Sequence, residues 1–336
     1  VNTAQGFVAQ KSSAGGRGEF DAMARDPASE RSVAAFGVLS GLVAEIGMTD
    51  VFVNPNGSVW CDRGAGAVCA RDIRIPPEEA RDLAVRLIAL GGRHVDEATP
   101  CVDVRLGEGV RVHVVLPPVA TGGPAISIRL QRNVPITLDE LAAEAFFSVV
   151  SVESVLILVR DRANLLITGA GGSGKTTLLS ALLARAAPAE RIVVLEDVAE
   201  LRITHPHVVA LEARQANLDG AGAIGLDRLV REALRMRPDR LVIGECRGAE
   251  VRELLSALNT GHDGGAGTLH ANSLADVPAR LEALAALAGL TVEAMGRQAV
   301  SAFDVVLHVE RTADGRRLAA LGHLDLDGHG RLVVSP

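Results

Sequence analysis

Tyrosine is missing from this chain, tryptophan occurs once, and aromatic residues make up only 2% of it. So few flat rings leave few platforms on which single-stranded bases stack, which counts against a nucleic-acid grip. Lysine is almost missing too: among 34 lysines and arginines only Lys11 and Lys175 are lysine. The four cysteines, Cys61, Cys69, Cys101 and Cys246, show no C-x-x-C spacing, so reduced thiols are expected and a zinc site is not. No uninterrupted apolar run approaches the roughly 20 residues that span a bilayer. The start of the chain has neither the basic segment nor the apolar core of a signal peptide, and a cytosolic location is the expectation. Net charge is −7, so nothing global draws the chain to nucleic acid. Hydrophobic residues at 48% and charged residues at 22% suit a globular chain able to bury a core, and 336 residues predict about two domains.

What the chain does have is concentrated in residues 165–187, LLITGAGGSGKTTLLSALLARAA. Leu165 to Thr168 reads as a short strand. Gly169, Ala170, Gly171, Gly172, Ser173, Gly174, Lys175 and Thr176 fit G-x-x-x-x-G-K-[ST], and Thr177 follows. Lys175 to Ala187 reads as a helix with Leu178, Leu179, Leu182 and Leu183 on one face. Strand, glycine-rich loop and helix together make a phosphate-binding loop. Its backbone N–H groups turn inward around an anion, and the helix N-terminus adds a positive dipole end. Lys175 is expected at the β- and γ-phosphates of ATP and Thr176 at Mg²⁺. A compact ammonium fits such a cradle where a guanidinium fork does not, which accounts for the one lysine in a body otherwise charged by arginine.

Taken in order, residues 1–28 read as a mobile tail. An α+β domain over 29–130 follows, with helical character from Arg31 to Gly47 and a strand–turn–strand from Asp50 to Trp60. A helix starts at Pro77 and buries Ala80, Leu83, Ala84, Leu87 and Ile88, ending at Gly91 and Gly92. Alternation then predicts three strands whose inward residues are Val102, Val104 and Leu106; Val110, Val112 and Val114; and Ile126, Ile128 and Leu130. The period of two sends Arg105, Arg111 and Arg129 to the opposite faces of their strands, as either a solvated or an anion-binding face.

Residues 131–137 read as a linker and 138–336 as the larger α/β domain, with a helix from Leu138 to Arg160. Arg191 to Leu195 is a strand that runs into Glu196, Asp197 and Glu200, and Val208 to Leu211 is another. In open α/β sheets ligands sit at strand carboxyl ends, so one of these carboxylates can orient a water towards a γ-phosphate; a solvated acidic turn is the alternative. A helix over Leu226 to Met236 precedes Leu241-Val242-Ile243-Gly244-Glu245, a Walker B pattern whose acid serves the Mg²⁺ shell. A second glycine-rich stretch, Gly261 to Ser273, carries His262 and His270; His270 is a candidate γ-phosphate contact or a structural histidine. A helix over Leu274 to Ala288 and three closing strands from Phe303 to Val334 complete the chain.

The series GAGGSGKTT, VVLEDVAEL, HVVALEAR, RMRPDRLVIGECRG and NTGHDGGAGTLHANS resembles the ATPases of type II and type IV secretion systems, most of all the Tad/Flp pilus (CpaF-like) branch. The resemblance runs from about Asp50 to Val309. It implies a RecA-like P-loop domain behind a smaller α+β N-terminal domain, and hydrolysis of ATP with Mg²⁺. It implies Glu196 as the water-polarising acid, Glu245 as the Walker B acid that holds the metal with Thr176, and His270 near the γ-phosphate. Arg111 and Arg129 match arginines that reach the phosphates, and Arg214 and Arg247 lie in family motifs with less defined roles. It further implies a hexameric ring, ATP between the two domains of a subunit, and a cytoplasmic motor at the inner face of the membrane, docked on a platform protein that assembles pili or secretes protein. The four-cysteine zinc module of some members is missing, and their long N-terminal extension is expected to be missing or reduced to the tail. A RecA-like nucleic-acid translocase, a non-hydrolysing ATP-binding module and a small-molecule kinase stand as rival readings.

Overall fold

The computed structural model describes residues 33–64, 66–107, 109–130, 135–214, 221–312 and 315–335. The expected tail 1–28 and most of the expected linker lie outside these. The chain divides into two compact units, Val1–Gln131 and Arg132–Pro336.

The first unit is a six-stranded antiparallel sheet carrying one long helix. Its elements are β1 (Asp50–Val53), β2 (Ser58–Asp62), β3 (Ala67–Arg74), α1 (Pro77–Leu90), β4 (Cys101–Leu106), β5 (Val110–Val115) and β6 (Ala125–Leu130). The order across the sheet is β3-β2-β1-β6-β5-β4. Helix α1 starts on Pro77 with Glu78 and Glu79 in its first turn, and buries Ala80, Leu83, Ala84, Leu87 and Ile88, the stripe its spacing predicts. That stripe shares a core with Val51, Val112, Val114, Ile126 and Ile128 from the sheet. Two readings need correction. The helical character expected from Arg31 to Gly47 is present among its described residues but broken: Val33 and Ala34 are helical, and from Gly37, at φ 56, a single 3₁₀ turn (Gly37–Leu39) runs into a short α-helix (Ser40–Val43). Strand β3 was not expected: it is a half-exposed edge strand with no clean alternation.

The second unit is a doubly covered α/β sheet. Its elements are α2 (Leu138–Ala143), α3 (Val152–Arg160), β7 (Leu165–Gly169), α4 (Lys175–Leu183), β8 (Ile192–Glu196), β9 (Val208–Glu212), α5 (Leu226–Leu234), β10 (Arg240–Ile243), α6 (Glu250–Leu258), β11 (Ala266–His270), α7 (Val277–Leu287), α8 (Val292–Ala302), β12 (Val305–Thr312), β13 (Gly315–Leu326) and β14 (Leu332–Ser335). The order is β14-β13-β12-β7-β11-β10-β8-β9. From β12 to β9 every neighbouring pair is parallel, and β13 and β14 close one side antiparallel.

Burial on both faces explains why these strands read as unbroken apolar runs. Val193, Leu195, Leu241 and Ile243 pack on α5 to α8, while Ile192, Val194, Val242 and Ile167 pack on α2 to α4. The single helix expected over Leu138 to Arg160 is two, α2 and α3. They are parted where Ala145 takes φ 57 and Phe146 is buried, and Ser151 caps the second through Ser154 N at 3.1 Å. Helices α6 and α8 were not expected. Among the described residues no helix is long and apolar enough to cross a membrane.

Candidate functional site

Strand β7 is buried at every position and delivers the loop to the carboxyl edge of the sheet. Gly169, at φ 151, lets the chain turn there; a Cβ on it would stand 2.3 Å from the Val309 carbonyl oxygen. Gly172 and Gly174 continue the turn at φ 69 and φ 107. Ser173 is fully buried beneath the loop, and α4 begins at Lys175 with Leu178 N donating to Gly174 O at 2.9 Å. Ala170, Gly171 and Gly172 are exposed, and Thr176 and Thr177 are half-buried in the first turn of α4. The glycine loop thus leads straight into the N-terminus of α4, whose first backbone N–H groups have no partner within the helix.

Lys175 is only 6% exposed, and its ammonium donates to the carbonyls of Gly169 at 3.0 Å and Ala170 at 2.9 Å. The same nitrogen lies 3.4 Å from His270 Nδ1 at the end of β11, the strand beside β7. An ammonium only donates, so Nδ1 is the acceptor and the imidazole proton sits on Nε2. Nε2 is 2.6 Å from Glu245 Oε1, and the other oxygen of Glu245 accepts from Arg247. Lys175, His270, Glu245 and Arg247 therefore form one contiguous chain across the ends of β7, β11 and β10. Burial lowers the Lys175 pKa, with Glu245 opposing and Arg247 adding to the effect. Burial also lowers that of His270, reinforced by the Lys175 charge, so the imidazole is neutral.

Glu196 ends β8, two strands from β11, and is 5% exposed. Its Oε1 accepts from the backbone N–H groups of Glu200 and Leu201, each at 3.0 Å, which fixes one side of the carboxylate. The side chain lies over Gly244, where a Cβ would meet Glu196 Cγ at 2.6 Å; a glycine here lets the ends of β8 and β10 share the space. Asp197 is held above its usual value, first by desolvation and then by the carboxylates of Glu250 and Glu245.

The other named residues are distributed differently. Arg214 follows β9, the outermost parallel strand, four strand steps or about 19 Å from β7 at normal sheet spacing, and does not join the cluster. His262 contacts the Ala257 carbonyl through Nδ1 at 3.2 Å, a structural role. In the first unit Arg111 pairs with Asp103 and Arg129 with Asp50, each at 3.2 Å, on the sheet face turned away from α1. They stand opposite each other in register, with Arg105 next in the same row.

Three residues escaped the sequence reading. Glu250 accepts from the N–H groups of Arg247 at 2.6 Å and Gly248 at 2.7 Å, shaping the turn after β10; its signal was an acid three residues beyond Arg247. His308 on β12 meets Thr168 Oγ1 at 2.9 Å beneath the loop, and Arg316 on β13 donates through Nε to Gly172 O at 3.1 Å. Neither had a local signal, because both reach the loop only through strand pairing.

A glycine-rich loop at a helix N-terminus with an ammonium beside it suits a polyphosphate. The hydroxyl of Thr176 and the carboxylate of Glu245 are hard oxygen donors of the kind Mg²⁺ takes one or two at a time, with phosphate and water completing its shell. Comparison with known proteins agrees with this chemistry. Residues 40–313 match the family model described as "Type II/IV secretion system protein". A putative conjugal transfer protein of Mycobacterium tuberculosis is 49% identical over 291 residues, covering 84% of this chain and 82% of that protein. The conjugal transfer protein TrbB of Rhizobium radiobacter is 31% identical, covering 83% of this chain and 84% of that protein. The crystal structure of the pilus retraction motor PilT with bound ADP has the same fold, with a TM-score of 0.58 at 20% identity over 84% of this chain and 80% of that one. The fold shared with that structure is a RecA-like α/β unit that follows a smaller α+β unit in the chain, and the chain belongs to the type II/IV secretion system protein family.

Proposed function

We propose that this protein is an ATP-hydrolysing motor that powers a membrane secretion or pilus-assembly machine. The observation that carries the reading is the gathering of Lys175, His270, Glu245 and Arg247 at the glycine-rich loop, hydrogen-bonded at either end and joined in the middle by the close approach of His270 Nε2 to Glu245 Oε1. The loop amides and Lys175 hold the β- and γ-phosphates of ATP, the ammonium exchanging the carbonyls of Gly169 and Ala170 for phosphate oxygens. Thr176 and Glu245 are the residues that hold Mg²⁺, whose contribution is to offset phosphate charge. Glu196, oriented by two backbone amides, accepts a hydrogen bond from the attacking water. Neutral His270 stands beside Lys175, where it adjoins the terminal phosphate and couples it to Glu245. Arg111 and Arg129 are proposed as phosphate-sensing arginines. Arg247 links the terminal phosphate to the turn held by Glu250. Arg214, at the outer edge of the sheet, is a candidate nucleotide contact with no part in the Lys175 cluster.

The working form is proposed to be a homo-hexamer in the cytoplasm, held at the inner membrane by a platform protein. Lys175→Ala and Glu196→Ala are expected to lower ATP turnover by about 100-fold or more with the thermal transition retained. Wild-type turnover in either variant sinks the assignment. Mass in solution with and without a non-hydrolysable ATP analogue tests the ring, and turnover stimulated by DNA or RNA would favour the translocase reading instead.

A further inference from the structure

We infer that Arg316 is the platform on which the base of the bound nucleotide stacks; the inference rests on the loop being a nucleotide site. Strand β7 has different company on its two sides. On one side stand β11 and β10, with His270, Glu245 and Arg247 gathered around Lys175. These charged groups belong with the terminal phosphate. A nucleotide whose terminal phosphate lies there leads its nucleoside out over the opposite side, towards the hairpin of β12 and β13.

That is where Arg316 lies. Its Nε donates to Gly172 O at 3.1 Å, and its stem packs on Gly174, where a Cβ would stand 3.2 Å from Arg316 Cδ. One hydrogen bond and one packed stem orient the guanidinium while the residue stays exposed. The pairing of the hairpin does not explain an arginine at this position. Arg316 stands directly opposite Arg311, a like-charge pair that weakens a hairpin, whereas its neighbour Arg317 is matched by Glu310 at 3.2 Å.

Composition points the same way. Residues 135–335 contain no tyrosine or tryptophan, and of their phenylalanines Phe146 and Phe303 are 2% and 3% exposed. Phe147 is half-buried with its ring against Phe146. A base arriving at this loop finds no exposed phenylalanine, tyrosine or tryptophan ring in the unit. A planar, delocalised guanidinium stacks on an aromatic face in place of one.

The test compares a ligand with a base and one without. The magnesium complexes of a non-hydrolysable ATP analogue and of inorganic tripolyphosphate are titrated calorimetrically into the wild-type 336-residue chain, Arg316→Gln, Arg316→Ala and Lys175→Ala. Arg316→Gln and Arg316→Ala are expected to weaken the analogue by about 3- to 30-fold and leave tripolyphosphate unchanged, while Lys175→Ala weakens both. Equal losses on both ligands would reduce Arg316 to a loop support or phosphate contact and overturn the inference, as would no loss on either. A wild-type protein that binds neither ligand would overturn the nucleotide site itself. Matching thermal transitions establish that the variants are folded.

Discussion

Two histidines flank the root of the glycine-rich loop, and burial lowers the pKa of both. His308 is 2% exposed, bonds Thr168 Oγ1 at 2.9 Å, and leaves Nε2 without a hydrogen-bond partner. Desolvation and the charge of Lys175 keep it neutral, against the opposing pull of Glu310 and Asp276. The unfolded chain protonates its histidines near pH 6.5, whereas the folded form takes up those protons only at lower pH. Unfolding therefore binds protons in that window, and stability present above about pH 6.5 is lost as pH falls through it. Urea midpoints between pH 7.5 and 5.5 should fall for the wild type and fall less steeply for His308→Gln. Equal slopes would remove His308 from the account. Thr168→Val keeps the shape of its partner but leaves Nδ1 of His308 buried and unpaired, at an expected cost of about 1–3 kcal/mol in the same assay.

At the scale of elements, the site depends on how closely strand ends approach. Gly244 sits beneath Glu196, and a methyl group there would meet the Glu196 carboxylate oxygen at 2.8 Å as well as its Cγ. Gly244→Ala should therefore cost about 1–3 kcal/mol by overpacking and depress ATP turnover, because the Glu196 carboxylate must swing away. An alanine variant with wild-type turnover and stability would show that this approach is not needed.

Elements whose apolar residues follow one period were legible before any coordinates: the stripe on α1, the alternation in β4, β5 and β6, and the loop from Gly169 to Thr176, which is contiguous in the chain. Edge strand β3 was not legible, since half-exposed positions carry no period. The break between α2 and α3 escaped because it rests on Phe146 turning inward. The meeting of Lys175, His270 and Glu245 depends on β11 lying between β7 and β10, a fact of strand order and not of any local pattern. The contact from Arg316 is further removed still, as it needs both the β7–β12 pairing and the β12–β13 hairpin.

For the molecule as a whole, each unit carries its own apolar core. One is built on α1 and the six-stranded sheet, and the other lies on both faces of the eight-stranded sheet. Leu87→Ala, at a fully buried position on α1, should lose about 2–5 kcal/mol from the first unit alone. Scanning calorimetry is expected to show one shifted transition beside one unshifted transition. A single transition that moves as a block would mean the two cores melt as one.

One further consequence follows from the scarcity of primary amines. Between residues 33 and 335 the chain offers a single ε-amino group, that of Lys175, and its surroundings favour the unprotonated, nucleophilic form more than water does. An acylating reagent that marks this nitrogen reports directly on whether the loop is occupied. Bound polyphosphate would shield it, and intact-mass spectrometry would read that protection as one missing adduct, without any engineered tag.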